Sequence, residues 1–132
     1  MAEKENLFRI SFDRSQQVLK LHLWGFWAIE TSQEFLREFI KIVQTERLSE
    51  KEWSILADVT RFLPQRKEIL PLLSQVMRLA KQHGVKKAAR LVDNTITQMQ
   101  IGRLSWESHF PENAFFQSED AAIRWLREGA NV

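Results

Sequence analysis

Residues 53–59 read Trp-Ser-Ile-Leu-Ala-Asp-Val, WSILADV. The apolar run hardly alternates, whereas a strand wetted on one face would alternate with period two. A short unbroken apolar run of this kind suits a strand covered on both faces, which is how a central parallel strand reads. The residues after it, TRFLPQ at 60–65, read as a loop that opens at Asp58-Val59-Thr60 and contains Pro64.

Elements on both sides fit a strand of that type. Upstream, LFRISFD (7–13) and QVLKLHLW (17–24) alternate around the polar DRSQ. Phe8, Ile10 and Phe12 share one face, and Leu19, Leu21 and Leu23 another. This predicts an antiparallel hairpin. Gly25 breaks the pattern. Thr31-Ser32-Gln33-Glu34 has the form of a capping box and predicts a helix from there to 45–47, with Phe35, Leu36, Phe39, Ile40 and Val43 as its apolar stripe. Ser49–Glu52 follows as a short turn.

Downstream, Ile69, Leu70, Leu73, Val76, Met77 and Ala80 predict a second helix over 67–83. Pro71 belongs in its first turn, where the missing N–H is tolerated, and Gly84 stops it. AARLVD (88–93) reads as a buried strand. Thr95–Gln98 reads as another capping box, opening a helix to about Glu107 whose stripe is weak and which contains Gly102. AFFQ (114–117) is a last short strand. Ser118 caps a final helix with Ala122, Trp125 and Leu126 inward. The order β-β-α-β-α-β-α-β-α predicts an α/β fold with a mixed sheet, an N-terminal β-hairpin and about four helices, joined by right-handed crossovers.

Composition narrows the chemistry. The 132 residues, 44% apolar and 27% charged, suit one soluble domain with its own core. There is no cysteine, which excludes disulfides, thiol catalysis and cysteine-held metals and fits a reducing, cytoplasmic setting. The N-terminus, MAEKENLFRISFD, lacks a signal-peptide core. The longest mostly apolar run, LHLWGFWAI (21–29), is far short of the roughly 20 residues that cross a bilayer, so no membrane insertion is expected. Neither GxGxxG, a P-loop nor GxSxG occurs. His22, His83 and His109 share no ligand spacing, so no metal site is expected, and no cofactor motif is present.

Four segments give the order a family likeness. They are VLKLHLWGFW (18–27), ILADVTRF (55–62), GVKKAARLVDN (84–94) and AFFQSEDAAIRWL (114–126). Together they resemble the STAS domain, the SpoIIAA-like fold of anti-sigma-factor antagonists, and more narrowly small stand-alone bacterial STAS-like proteins of unassigned function. The likeness spans nearly the whole chain and implies a single STAS-like domain over 1–132. It also implies a protein that acts by binding other proteins, some members of the fold binding nucleotides or lipids instead. In sporulation-type antagonists a serine in an Asp-Ser-Ser-Gly segment after the central strand is phosphorylated by a partner kinase. Here that place holds Arg61-Phe62-Leu63-Pro64-Gln65, without serine or glycine. Thr60 is the nearest hydroxyl, and a strand-end threonine that satisfies local backbone is the expectation, not a phospho-switch.

Several side chains remain as candidates. Asp58 and Asp93, with Asn94 and Thr95, lie near the C-terminal ends of strands, where open α/β sheets hold ligands. An acid–base pair would require both carboxylates in one cleft; otherwise they cap loops and helix starts. Trp24, Phe26, Trp27 and Phe62 would gather at the same edge, as binding anchors, a pocket lining or plain core. Arg78, Lys81, Lys86, Lys87 and Arg90 form a basic segment, but no stacking platform interleaves with it and the net charge is only +2, so no nucleic acid is expected.

The resulting expectation is a non-enzymatic, cytoplasmic STAS-like interaction and regulatory module with an unknown protein partner. Its surface would be the C-terminal strand edge and the face of the second helix, with Trp27, Thr60, Arg61, Phe62 and Asp93 as binding residues. The alternative is a carrier of a small apolar ligand or lipid in an aromatic-lined pocket. A homodimer is compatible with the sequence.

Overall fold

A computed structural model describes residues 7–110 and 112–128. Five strands form one sheet: β1 (Phe8–Asp13), β2 (Val18–Gly25), β3 (Ser54–Phe62), β4 (Ala88–Leu91) and β5 (Asn113–Phe116). Their order across the sheet is their order in the chain. β1 and β2 pair antiparallel, as alternation in both predicts, and every later pair is parallel. β3, the unbroken apolar run, is the central strand.

The helices are α1 (Ile29–Thr45), α2 (Leu70–Gln82), α3 (Thr95–Glu107) and α4 (Glu119–Arg127). The main core lies between one sheet face and the first three helices. Leu19, Leu21 and Leu23 of β2 and Ile55, Ala57 and Val59 of β3 meet Phe35 and Phe39 of α1, Leu73 and Val76 of α2, and Ile101 and Leu104 of α3. The other face is covered in part. α4 lays Ala122 and Trp125 over Leu56, Ala89 and Leu91. Both faces of β3 and β4 are therefore dry around Leu56 and Ala89, which is why their sequences do not alternate.

The helix starts differ in detail from the sequence expectation. α1 begins at Ile29, three residues before the start that a Thr31 cap requires. Ala28 is its N-cap and makes no side-chain bond. Thr31 lies inside the first turn, its N–H on the Ala28 carbonyl at 3.1 Å. The cause is tertiary: Trp27 is locked in the core, and the chain turns helical directly after it. At α3 the cap is Asn94, whose Oδ1 accepts the Thr97 N–H at 3.0 Å. The helix itself spans 95–107 and runs through Gly102 unbroken. α2 starts at Leu70 after a turn closed by Ile69 N–H on Arg66 O, and Pro71 sits in its first turn. Gly84 follows α2 at φ +83°, a conformation an L side chain resists.

Candidate functional site

The C-terminal ends of β2 and β3 and the start of α3 meet at one edge of the sheet, and a bulge shapes that edge. His22 pairs with Asp58, but Trp24 pairs with Arg61, so β3 carries one residue more than β2 over this step. Strand pairing therefore continues to Phe62, where sequence reading placed a loop from Thr60. The extra residue also resets the parity of side chains. Val59 and Phe62, three apart, both enter the main core. Asp58 Oδ1 accepts from the backbone N–H of Thr60 at 3.0 Å and from its hydroxyl at 2.7 Å. The carboxylate thus satisfies backbone freed by the bulge, a local arrangement typical of Asp and Thr.

Two of the five expected binding residues are core. Phe62 is 2% exposed and Trp27 0%. Their rings meet edge-to-face at 5.0 Å, and Trp27 meets Phe35 at 5.3 Å in the same way. The Trp27 indole N–H reaches the carbonyls of Leu7 and Trp24. Phe62→Ala therefore cannot test partner binding with the fold intact. Of the other rings, Trp24 is half-buried and tilted against His22 with centroids 4.8 Å apart, while Phe26 is exposed. The four aromatics gather at the edge without forming one pocket. Arg61 and Asp93 are exposed, and Thr60 is partly so.

Sequence reading missed the polar centre of the edge, Gln65. Its side chain is buried. Oε1 accepts the Trp27 backbone N–H at 2.9 Å, and Nε2 donates to the carbonyls of Gly25 and Leu63. Its own backbone exchanges two 2.9 Å bonds with the Gln100 side chain of α3. Thr97 adds a 2.9 Å bond from its hydroxyl to the Phe62 carbonyl. One glutamine thereby joins the β2–α1 loop, the β3–α2 loop and α3. No periodicity marks such a residue; the one hint is its position after Pro64 in a loop.

Large apolar side chains are exposed at this edge and along α3. Phe26 is 49% exposed, Leu63 50%, Ile96 61%, Met99 68% and Trp106 81%, and Ile29 is also exposed. Arg66 lies over the Phe26 ring at 5.3 Å. Arg61, Arg66 and Lys67 have no carboxylate within 4.0 Å among the described residues.

The remaining candidates lie apart. Asp58 lines a shallow depression on the open sheet face with Arg9, Lys20 and His22. Asp93 lines another with Asn94, Gln98 and Phe116. The two carboxylates share no cleft. His22 Nε2 stands 3.9 Å from Asp58 Oδ2, His83 bonds Ser49, and His109 lies in the α3–β5 loop. The basic segment around the end of α2 is not a continuous patch. Lys86 pairs with Glu52 at 2.9 Å, and Lys87 donates to the carbonyls of Trp125 and Glu128. Arg90 is buried, against the solvated role its charge suggests. It bonds Asn113 at 3.2 Å and lies over the Phe110 ring, and burial pushes its guanidinium down to about 10. The core cavity between sheet and helices, lined by Leu21, Phe62, Leu73 and Ile101 among others, holds about 60 Å³. Among the described residues no helix is long and apolar enough to cross a membrane.

No protein-family model matches the chain, and no curated protein does. Solved structures do. A protein of the DUF3478 family with a SpoIIAA-like fold, from Shewanella loihica PV-4, aligns over 96% of this chain and 98% of its own at TM-score 0.69 and 18% identity. An anti-sigma factor antagonist from Mycobacterium paratuberculosis aligns over 96% and 100% at 0.61 and 13%. The anti-sigma factor antagonist SpoIIAA in its unphosphorylated form aligns over 92% and 98% at 0.62 and 14%. With its hairpin-led mixed sheet, three helices on one face and one on the other, the chain has a SpoIIAA-like fold.

Proposed function

We propose that this chain is a non-enzymatic, cytoplasmic STAS-like module that binds a protein partner in a regulatory role. The observation that carries this reading is the surface around Gln65. Phe26 and Leu63 are exposed on a rigid hydrogen-bonded base, with Arg66 over the Phe26 ring and donating to the Trp27 carbonyl. Exposed apolar clusters of this kind mark interaction sites, and large rings dominate binding energy when a partner buries them. Two fold neighbours are anti-sigma factor antagonists, which supports a protein partner. Of the residues expected from sequence, Trp27 and Phe62 are buried beneath this surface, and Arg61 lies in register with Trp24. A phosphate on Thr60 would sit against the Asp58 carboxylate, so a phospho-switch there is disfavoured by like charge.

The carrier reading has less support. A cavity of about 60 Å³ is small beside the roughly 300–1,000 Å³ of ordinary ligand pockets. The acid–base reading needs one cleft for Asp58 and Asp93, and their depressions differ.

The test is co-purification from the host of tagged wild-type chain and of Leu63→Asp/Arg61→Glu. Both positions are exposed, so the variant should fold normally. A partner protein recovered in stoichiometric amount with the wild type and lost with the variant is expected. An identical set of proteins with both would contradict the surface assignment.

A further inference from the structure

The sheet separates two cores that share no side chain. The main one lies under α1, α2 and α3. The second consists of Val18, Leu56, Ala89, Leu91 and Ala122, with Phe116, Ile123, Trp125 and Leu126 packed against it. Among the described residues, α4 is the helix over this second core. Beside it the same sheet face turns polar, with Arg9, Lys20, His22 and Asp58 around a shallow depression, and needs no cover.

α4 is lightly held. It is nine residues long, and Ala122 is its one buried residue. Ile123, Trp125 and Leu126 are half-buried. A helix of that length does not persist alone in water, so α4 is helical because it is docked. It joins β5 through Gln117 and Ser118, both exposed. β5 is anchored on the other side of the sheet, where Phe115 packs against the main core beside Gly102 of α3. The joint at 117–118 thus lies between an anchored strand and a lightly held helix.

The far end of α4 is fastened by Lys87, which directly precedes β4 and is largely buried. Its Nζ donates to the Trp125 carbonyl at 3.0 Å and to the Glu128 carbonyl at 2.7 Å, and lies 4.5 Å from the centre of the Trp125 ring. Carbonyls at the end of a helix lack intrahelical donors, and a cation there also complements the helix dipole.

We propose that α4 is a strap: it releases from the sheet as a unit while the main core stays folded, with Lys87 as its latch and residues 117–118 as its hinge. Release bares Leu56 and Leu91 on the sheet and Trp125 and Leu126 on the helix. Segments that share few buried contacts with the rest of a domain open at lower free energy than its centre. The strap goes beyond the interaction-module reading and does not depend on it, since neither Gln65 nor the surface around it takes part.

The test is native-state hydrogen exchange of the full chain, followed by ¹⁵N NMR at low urea. Corrected for intrinsic rates, the amides of residues 122–127 should exchange at least about a hundredfold faster than those of residues 55–57, and at one common level of protection. Their exchange should respond only weakly to urea, because the opening exposes little surface. Gln100→Leu, on the main-core side, should speed residues 55–57 about fivefold and leave residues 122–127 unchanged. Lys87→Met keeps the apolar stem and removes the latch, so residues 122–127 should exchange about tenfold faster.

Equal protection of the two segments, or equal acceleration of both by Gln100→Leu, would overturn the inference. So would α4 rates unchanged by Lys87→Met. A graded loss of protection toward residue 127 would show fraying of the helix end in place of release as a unit, and would overturn it too. Retention or loss of a host partner by Leu63→Asp/Arg61→Glu bears on the module reading alone.

Discussion

Replacing Gln65 by leucine, a side chain of similar size, tests whether this sheet edge is held as described. The change removes the acceptor for the buried Trp27 N–H and the donor to two carbonyls. The carbonyls lose little. Gly25 O still accepts the Leu63 N–H at 3.2 Å, and Leu63 is exposed, so water can reach its carbonyl. The Trp27 N–H has no such relief, because Trp27 is fully buried. An orphaned buried donor costs about 1–3 kcal/mol, and the lost bonds add about 1 more. The expected destabilisation is therefore about 2–4 kcal/mol. With a urea m-value of about 2 kcal/mol/M, the midpoint should fall by about 1–2 M at unchanged m. Gln100→Leu removes bonds at a half-exposed position where water can substitute, and should cost about 1 kcal/mol. The assay is urea unfolding followed by tryptophan fluorescence. A Gln65→Leu midpoint within experimental scatter of wild type, or equal losses for Gln65→Leu and Gln100→Leu, would refute the reasoning.

Other expectations follow from the same packing and electrostatics. Phe62→Ala deletes a buried ring and should cost about 3–5 kcal/mol in urea unfolding, so any binding defect it produces is secondary to stability. Arg90→Met should be neutral or stabilising by up to about 2 kcal/mol at pH 7, since a desolvated cation gives way to an apolar side chain. Burial lowers the Arg90 value from its ordinary high range to about 10, so above pH 10 the unfolded chain binds more protons there than the folded one. The penalty is thus complete below pH 10 and lifts above it. Paired unfolding curves at pH 7 and above pH 10 should show the variant's advantage shrinking. Glu46 is held below its usual 4.5 first by the Arg14 hydrogen bond. Its contribution is present above that value and fades as pH falls through the lower folded value, so Glu46→Gln should flatten the acid limb of the stability profile.

Much of the architecture is legible in the residues. Period-two alternation in LFRISFD and QVLKLHLW gives the hairpin, and the unbroken WSILADV gives the central strand. Gly84, Pro71 and Ser118 punctuate the helices where the structure has them. The departures share one cause: long-range contacts that no local pattern carries. The bulge in β3 arises from its pairing with β2, and it converts the apparent loop at 60–62 into strand while turning Phe62 inward. Trp27, pinned by Gln65 and two carbonyls, moves the start of α1 ahead of Thr31. Arg90 reads as one more lysine-like charge until β4 is placed beneath Phe110. At the edge, the sequence reads Trp27 and Phe62 as binding residues, whereas both are buried. The exposure of Leu63, Ile96, Met99 and Trp106 appears only once the helices are packed.

Native mass spectrometry of the chain purified gently from its host, beside Leu63→Asp/Arg61→Glu prepared identically, is the most direct test of the interaction-module reading. The wild type should appear at 15.6 kDa plus the mass of a second, different protein, and the variant at 15.6 kDa alone. A wild-type mass raised by only a few hundred daltons, unchanged by the variant, would instead identify a bound small molecule and contradict the reading.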